Sequence, residues 1–235
     1  MTKAAAPCLG ILMLDTQFPR ILGDVGNADT WPFPVRYATV PGATPQAVVC
    51  EDLEPFVEDF IAAGRDLVTE GCIGIATTCG FLALIRPRLT QALSVPVAAS
   101  ALEQAALIQA MLPPDQRVGV LTISAASLTP QHLEVAGVPE GTPVIGMEGT
   151  AFAASILENK DTLDVPLARQ EMVRAAQRLV TENPAVGAII LECTNMVPYA
   201  PDIAKATRRP VYSIYTYLRW FYEGLSPSVF PQSRT

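Results

Sequence analysis

Short apolar runs, each bounded by glycine, proline or charge, alternate along this chain with stretches whose apolar residues recur at helical spacing. Residues 9–14 (LGILML), 72–76 (CIGIA), 95–99, 118–122 (VGVLT), 144–147, 188–191 (AIIL) and 211–214 read as strands. Between them, Leu53, Phe56, Val57, Phe60, Ile61 and Leu67 mark a helix over 52–70. Further helices are predicted over 81–93, 101–112 (closed by Pro113 and Pro114), 165–181, 199–206 and 215–223. Strands that alternate with helices imply βαβ units, an α/β class and parallel sheets. One stretch breaks the rhythm. Residues 15–46 are rich in glycine and proline and carry Phe18, Trp31, Phe33 and Tyr37. A connection of this length is usually functional, and its aromatics predict an ordered cover over a pocket.

The two halves resemble each other. LGILMLD near residue 10 has a counterpart in VGVLTIS near residue 120, and GIATTCGF around Cys79 has one in AIILECTNM around Cys193. In both of the latter an apolar strand ends in polar residues, then cysteine, then small or polar residues before a helix. The expected organisation is two pseudo-symmetric Rossmann-like lobes, 1–115 and 116–235, with the C-terminal helix free to return to the first. Ligands of open parallel sheets bind outside the carboxyl ends of the strands. A cleft between the lobes would therefore see one thiol on each side. A cysteine in a turn that enters a helix lies near unpaired backbone N–H groups, which favour the reactive thiolate. A thiolate on one face of a carbon acid removes a proton and a thiol on the other face returns one. Thr77, Thr78, Thr194, Asn195 and the backbone at Gly80 are candidates to hold a carboxylate and stabilise its developing charge.

Composition narrows the classes. Of 235 residues, 50% are hydrophobic and 17% charged, enough apolar material for a large core. The net charge of −7 comes without any basic cluster, so a nucleic-acid footprint is missing. No apolar run approaches the roughly 20 residues of a membrane span. The N-terminal apolar run leads into Asp15 and reads as a first strand, so a cytoplasmic protein is expected. The cysteines (Cys8, Cys50, Cys72, Cys79 and Cys193) contain no CxxC pair and His132 is the only histidine, which leaves no support for a metal site. Lys3, Lys160 and Lys205 avoid the strand-end turns, which disfavours a Schiff-base cofactor. GDVGN is not a dinucleotide fingerprint and nothing resembles a P-loop. No cofactor is expected.

TTCGF at 77–81 and LECTNM at 191–196, one in each half, resemble the aspartate/glutamate racemase superfamily, which includes glutamate, aspartate and hydantoin racemases, maleate isomerase and arylmalonate decarboxylase. The resemblance covers nearly the whole chain. It implies a cofactor-independent racemase of an amino acid or related carboxylate, with Cys79 and Cys193 as the acid/base pair and relatives that are often homodimers. Thr78, Gly80 and Thr194 match carboxylate-holding positions. Thr122 and Ser124 match the polar end of the second lobe's first strand, and Asp15 falls near the end of the first lobe's. Two departures stand out: Asn195 occupies a position where glutamate racemases carry histidine, and DTQFPR replaces the DSGxGG signature. A hydantoin racemase, a maleate-type cis–trans isomerase and a non-catalytic small-molecule binding protein are the alternatives. Cys72 is expected in the core, Cys8 and Cys50 to be incidental, and His132 to lie on the surface. One of Arg20, Arg36 and Arg86 is a candidate partner for a second substrate carboxylate, though each alone reads as solvated surface.

Overall fold

The structure, a computed structural model, describes residues 6–230; Lys3 lies outside them. It contains two four-stranded parallel sheets. The first has the order β2–β1–β3–β4, from β1 (Cys8–Leu14), β2 (Val35–Val40), β3 (Cys72–Thr77) and β4 (Val97–Ala98). The second repeats it as β6–β5–β7–β8, from β5 (Arg117–Thr122), β6 (Val144–Gly146), β7 (Val186–Leu191) and β8 (Val211–Tyr212). Helices α1 (Pro45–Cys50), α2 (Val57–Thr69), α3 (Arg86–Ala92) and α4 (Ala105–Met111) follow strands of the first sheet. Helices α5 (Pro130–Val135), α6 (Ala151–Leu157), α7 (Val165–Glu182), α8 (Ala200–Thr207) and α9 (Ile214–Leu225) follow strands of the second. This is an α/β protein of two similar sheets, and among the described residues no sheet closes into a barrel.

The central strands are apolar because both of their faces are covered. All six residues of β7 are buried, and Leu9, Ile11, Leu12, Ile75, Val120 and Leu121 are fully so. Strands β3 and β7 occupy the same place in their sheets, so the two cysteine turns leave equivalent strand ends. Helix α9 follows β8 but reaches back to the first sheet, where the Tyr222 hydroxyl donates to the Pro7 carbonyl. Leu12→Ala, in the middle of β1, is expected to cost about 2–5 kcal/mol in urea unfolding. A loss under 1 kcal/mol would contradict a well-packed central strand.

Several expectations need correction. The 15–46 segment is not one long loop, because it contains β2 and leads into α1. β2 is a half-exposed edge strand flanked by Pro34 and Pro41, so it shows no continuous apolar run. Its aromatics pack: Trp31 stacks on Phe33 and Tyr215, and Phe33 on Tyr222. The α6 helix has no counterpart in the sequence reading. The predicted helices at 81 and 199 begin earlier, as 3₁₀ turns over Gly80–Ile85 and Thr194–Tyr199, and the one at 101 starts where expected but opens as a 3₁₀ turn over Ala101–Gln104. His132 is buried rather than on the surface. Its ring bonds back to Thr129 in a capping box and meets Phe81 edge-on, and burial lowers its pKa to about 4. No helix of the described residues is long and apolar enough to cross a membrane.

Candidate active site

Cys79 lies just beyond β3 and caps the 3₁₀ helix Gly80–Ile85 in extended conformation. Cys193 lies two residues beyond β7 and caps Thr194–Tyr199 in the same manner. Backbone N–H groups at the start of each turn face the sulfur: those of Phe81 and Leu82 for Cys79, and that of Asn195 for Cys193. The Cys193 thiol also donates to Asn195 Oδ1 at 3.6 Å. The two turns are tied to each other, because Thr194 Oγ1 donates to the Thr78 carbonyl at 2.6 Å. Thr77 shapes the first turn from behind, donating to the carbonyls of Cys79 and Ala99.

Both cysteines, with Thr78, Gly80, Thr194 and Asn195, line one narrow pocket between the sheets. Four of the residues expected at the site do not line it. The Asp15 carboxylate accepts from the Gly42 amide and braces the end of β1 against the turn after β2. Thr77 and Thr122 stand behind the wall, and Ser124 bonds to Ser127. Among the arginines, Arg20 is part of the wall, while Arg36 pairs with Glu70 at the surface and Arg86 with Glu103. Arg20 lies over the Phe18 ring and pairs with Asp24 at 2.9 Å. Asp24 in turn accepts from Asn195 Nδ2 at 2.6 Å. The 15–46 segment thus orders Asn195, and through it the proton of Cys193.

Glu192 is the wall residue that the sequence reading passed over. It sits between β7 and Cys193, where the first half has Thr78, and is completely buried. Its Oε2 accepts from Thr122 Oγ1 at 2.7 Å, while its Oε1 has no partner. The available signal was a carboxylate at the end of an apolar run, since glutamate is rarely buried without a reason. Burial pushes the Glu192 carboxyl up to about 7, with the Thr122 hydroxyl and the Ile123 amide opposing the rise. Burial, and next the Glu192 charge, push the Cys79 thiol up to about 12 and the Cys193 thiol well above its ordinary value. The Arg20 charge works the other way on Cys79, whereas the charges of Cys79 and Asp24 raise Cys193 further. The two thiols are therefore inequivalent despite their equivalent places in the fold.

Gly80 is required by close approach. A Cβ there would lie 2.2 Å from Glu192 Oε1 and 2.7 Å from the Glu192 carbonyl oxygen. Gly80→Ala is expected to force the two turns apart, costing about 1–3 kcal/mol in stability and at least tenfold in kcat/KM. Wild-type values for both would remove the close contact from the account.

No family model matches the chain. It is 30% identical over 227 residues to dimethylsulfoniopropionate lyase of Durusdinium sp. clade D, a match covering 92% of this chain and 74% of that protein. This chain belongs to the dimethylsulfoniopropionate lyase family. Dimethylsulfoniopropionate lyase 6 of Emiliania huxleyi is 30% identical over 221 residues, covering 89% of this chain and 57% of the relative, so the chain spans little more than half of that protein. Among solved structures, a point mutant of arylmalonate decarboxylase superposes with a TM-score of 0.65 at 15% identity, covering 97% of each chain. A glutamate racemase isoform of Bacillus anthracis gives 0.62 at 17% identity, over 94% of this chain and 83% of that one. These likenesses establish the two-lobed fold of the aspartate/glutamate racemase superfamily. This member of the lyase family thus has a racemase-type fold, as its two cysteine turns led one to expect.

Proposed function

We propose that this protein is a cofactor-independent lyase that removes a proton next to a carboxylate and expels a leaving group from the adjacent carbon. Dimethylsulfoniopropionate is the proposed substrate, and dimethyl sulfide and acrylate the products. One observation carries the reading: two thiols in unlike surroundings line one pocket, in a chain related over 92% of its length to a named lyase. Cys79 is the better base, with two amide N–H groups and the Arg20 charge favouring its thiolate. Cys193 keeps its proton, which it donates to Asn195 Oδ1. The Cys79 thiolate takes the α-proton, the C–H electrons form the double bond, and the carbon–sulfur bond breaks with its electrons leaving on neutral dimethyl sulfide. The Arg20 cation and the hydroxyl-bearing turns at Thr78 and Thr194 are the proposed holders of the carboxylate. Their role is to stabilise the charge that builds there as the proton leaves.

Purified protein incubated with dimethylsulfoniopropionate should release dimethyl sulfide, read by headspace gas chromatography, with acrylate in equal amount. No release across pH 6–9 would remove this substrate. The second reading, racemisation of an amino acid or related carboxylate, is favoured by the equivalent strand-end positions of the two cysteines. Exchange of the α-hydrogen of either enantiomer in deuterated water, without elimination, would support it instead.

A further inference from the structure

Two buried polar groups of the cavity wall lack a partner, and their charges are opposite. One is Arg20 Nε and the other Glu192 Oε1. Arg20 is otherwise matched, by Asp24 and Thr16. Glu192 is not: no lysine, arginine or histidine pairs with it among the described residues, and no cationic group offsets its burial. The titratable groups that face it are Cys79 and Cys193, neutral at best and anionic if ionised. Behind them, Arg20 pairs with Asp24 through Nη1 and keeps only its Nε free, and Asp24 also accepts from Asn195. A fully buried carboxylate with no cation in reach is costly in the empty cleft.

We infer that Glu192 is the counter-ion of the substrate, its free oxygen meeting a permanently charged onium group. The site would then take onium carboxylates, sulfonium or quaternary ammonium, in preference to amino acids. The inference deepens the lyase reading and rests on it for the choice of this cleft as the substrate site. The rest of the wall argues for an onium group over a primary ammonium. An ammonium brings three N–H donors that each need an acceptor. Here the Thr78 hydroxyl already accepts from the Leu14 amide and Asn195 Oδ1 from the Cys193 thiol, and Glu192 Oε1 is the buried wall oxygen left without a partner. An onium group asks only for charge and apolar contact. Leu14, Phe18, Val49, Phe81 and Ile156 supply the contact. Arg20, which lines the same pocket with its Nε free, suits the carboxylate.

Three probes of similar length test this by calorimetry at pH 7 in two buffers of different ionisation heat. They are 3-(trimethylammonio)propanoate, whose amine is a poor leaving group, its neutral isostere 4,4-dimethylpentanoate, and β-alanine. The trimethylammonio compound should bind at least tenfold more tightly than either of the others. Its binding should also release protons, because a cation beside Glu192 favours the ionised carboxyl. Glu192→Gln should erase both the preference and the proton release. Equal binding of the neutral isostere by the wild type would overturn the inference without recourse to any variant. So would tighter binding of β-alanine, or a Glu192→Gln protein that keeps the preference. None of these readouts needs turnover. A protein that shows the preference but releases no dimethyl sulfide defeats the lyase reading alone; one that releases dimethyl sulfide yet prefers the isostere defeats this inference alone.

Discussion

Cys79→Ser should lower kcat/KM for release of dimethyl sulfide by roughly 10³-fold, within the range associated with loss of a positioned general base. Serine keeps the shape of the turn but replaces a thiol with a hydroxyl that is far harder to ionise. Cys193→Ser should cost much less, about tenfold, because dimethyl sulfide departs as a neutral molecule and needs no proton from the enzyme. This asymmetry separates the two readings of the site. Inversion at a carbon acid needs a base on one face and an acid on the other, and the reverse reaction exchanges their roles, so a racemase loses everything with either thiol. Elimination needs one base. The surroundings of the thiols already favour unequal roles: Cys79 has amide donors and Arg20 on its side, while Cys193 has Asn195 as a proton acceptor and the Asp24 charge behind it. Equal, complete loss of activity in both serine variants would point back to racemisation. A Cys79→Ser protein with wild-type kcat/KM would end the assignment of the base.

The two cysteine turns were legible because they depend on local pattern. An apolar strand buried on both faces leaves a continuous run, and the polar residues that close it mark the carboxyl end where ligands gather. β1, β3, β5 and β7 all announce themselves this way. β2 did not, since a half-exposed edge strand between prolines shows neither an apolar run nor clean alternation. The 3₁₀ openings of the helices after each cysteine were equally silent, because a tighter first turn leaves the apolar spacing almost unchanged. The electrostatics of the site were the least visible part. Asn195 could be seen to stand where glutamate racemases carry histidine, but not to hold Asp24, a residue 171 positions earlier. Arg20 was one of three arginines of equal standing until the fold placed it in the wall and the other two elsewhere. Ser124 and Asp15 show the opposite failure. Each stands near a strand end, as expected, yet spends its side chain on bracing a turn.

Glu192 should leave a mark on stability that needs no substrate. Burial raises its carboxyl from an ordinary 4.5 to about 7, so the folded protein holds a proton there that the unfolded chain releases. That contribution is fully present below about pH 4.5, is lost progressively as pH rises to about 7, and changes no further above that. A shift of this size corresponds to about 3 kcal/mol. The measurement is the difference in unfolding free energy between wild type and Glu192→Gln, by urea titration from pH 4.5 to 8. The difference cancels the many surface carboxylates, which titrate alike in both proteins. Wild type should lose about 3 kcal/mol relative to the glutamine variant across this interval, because glutamine keeps the shape and carries no charge at any pH. Parallel stability curves would mean that Glu192 ionises in the fold as easily as in water, and the uncompensated carboxylate would drop out of the account. If the loss is observed, saturating 3-(trimethylammonio)propanoate should shrink it, since a bound cation offsets the buried charge at the pH where the empty cleft bears it worst.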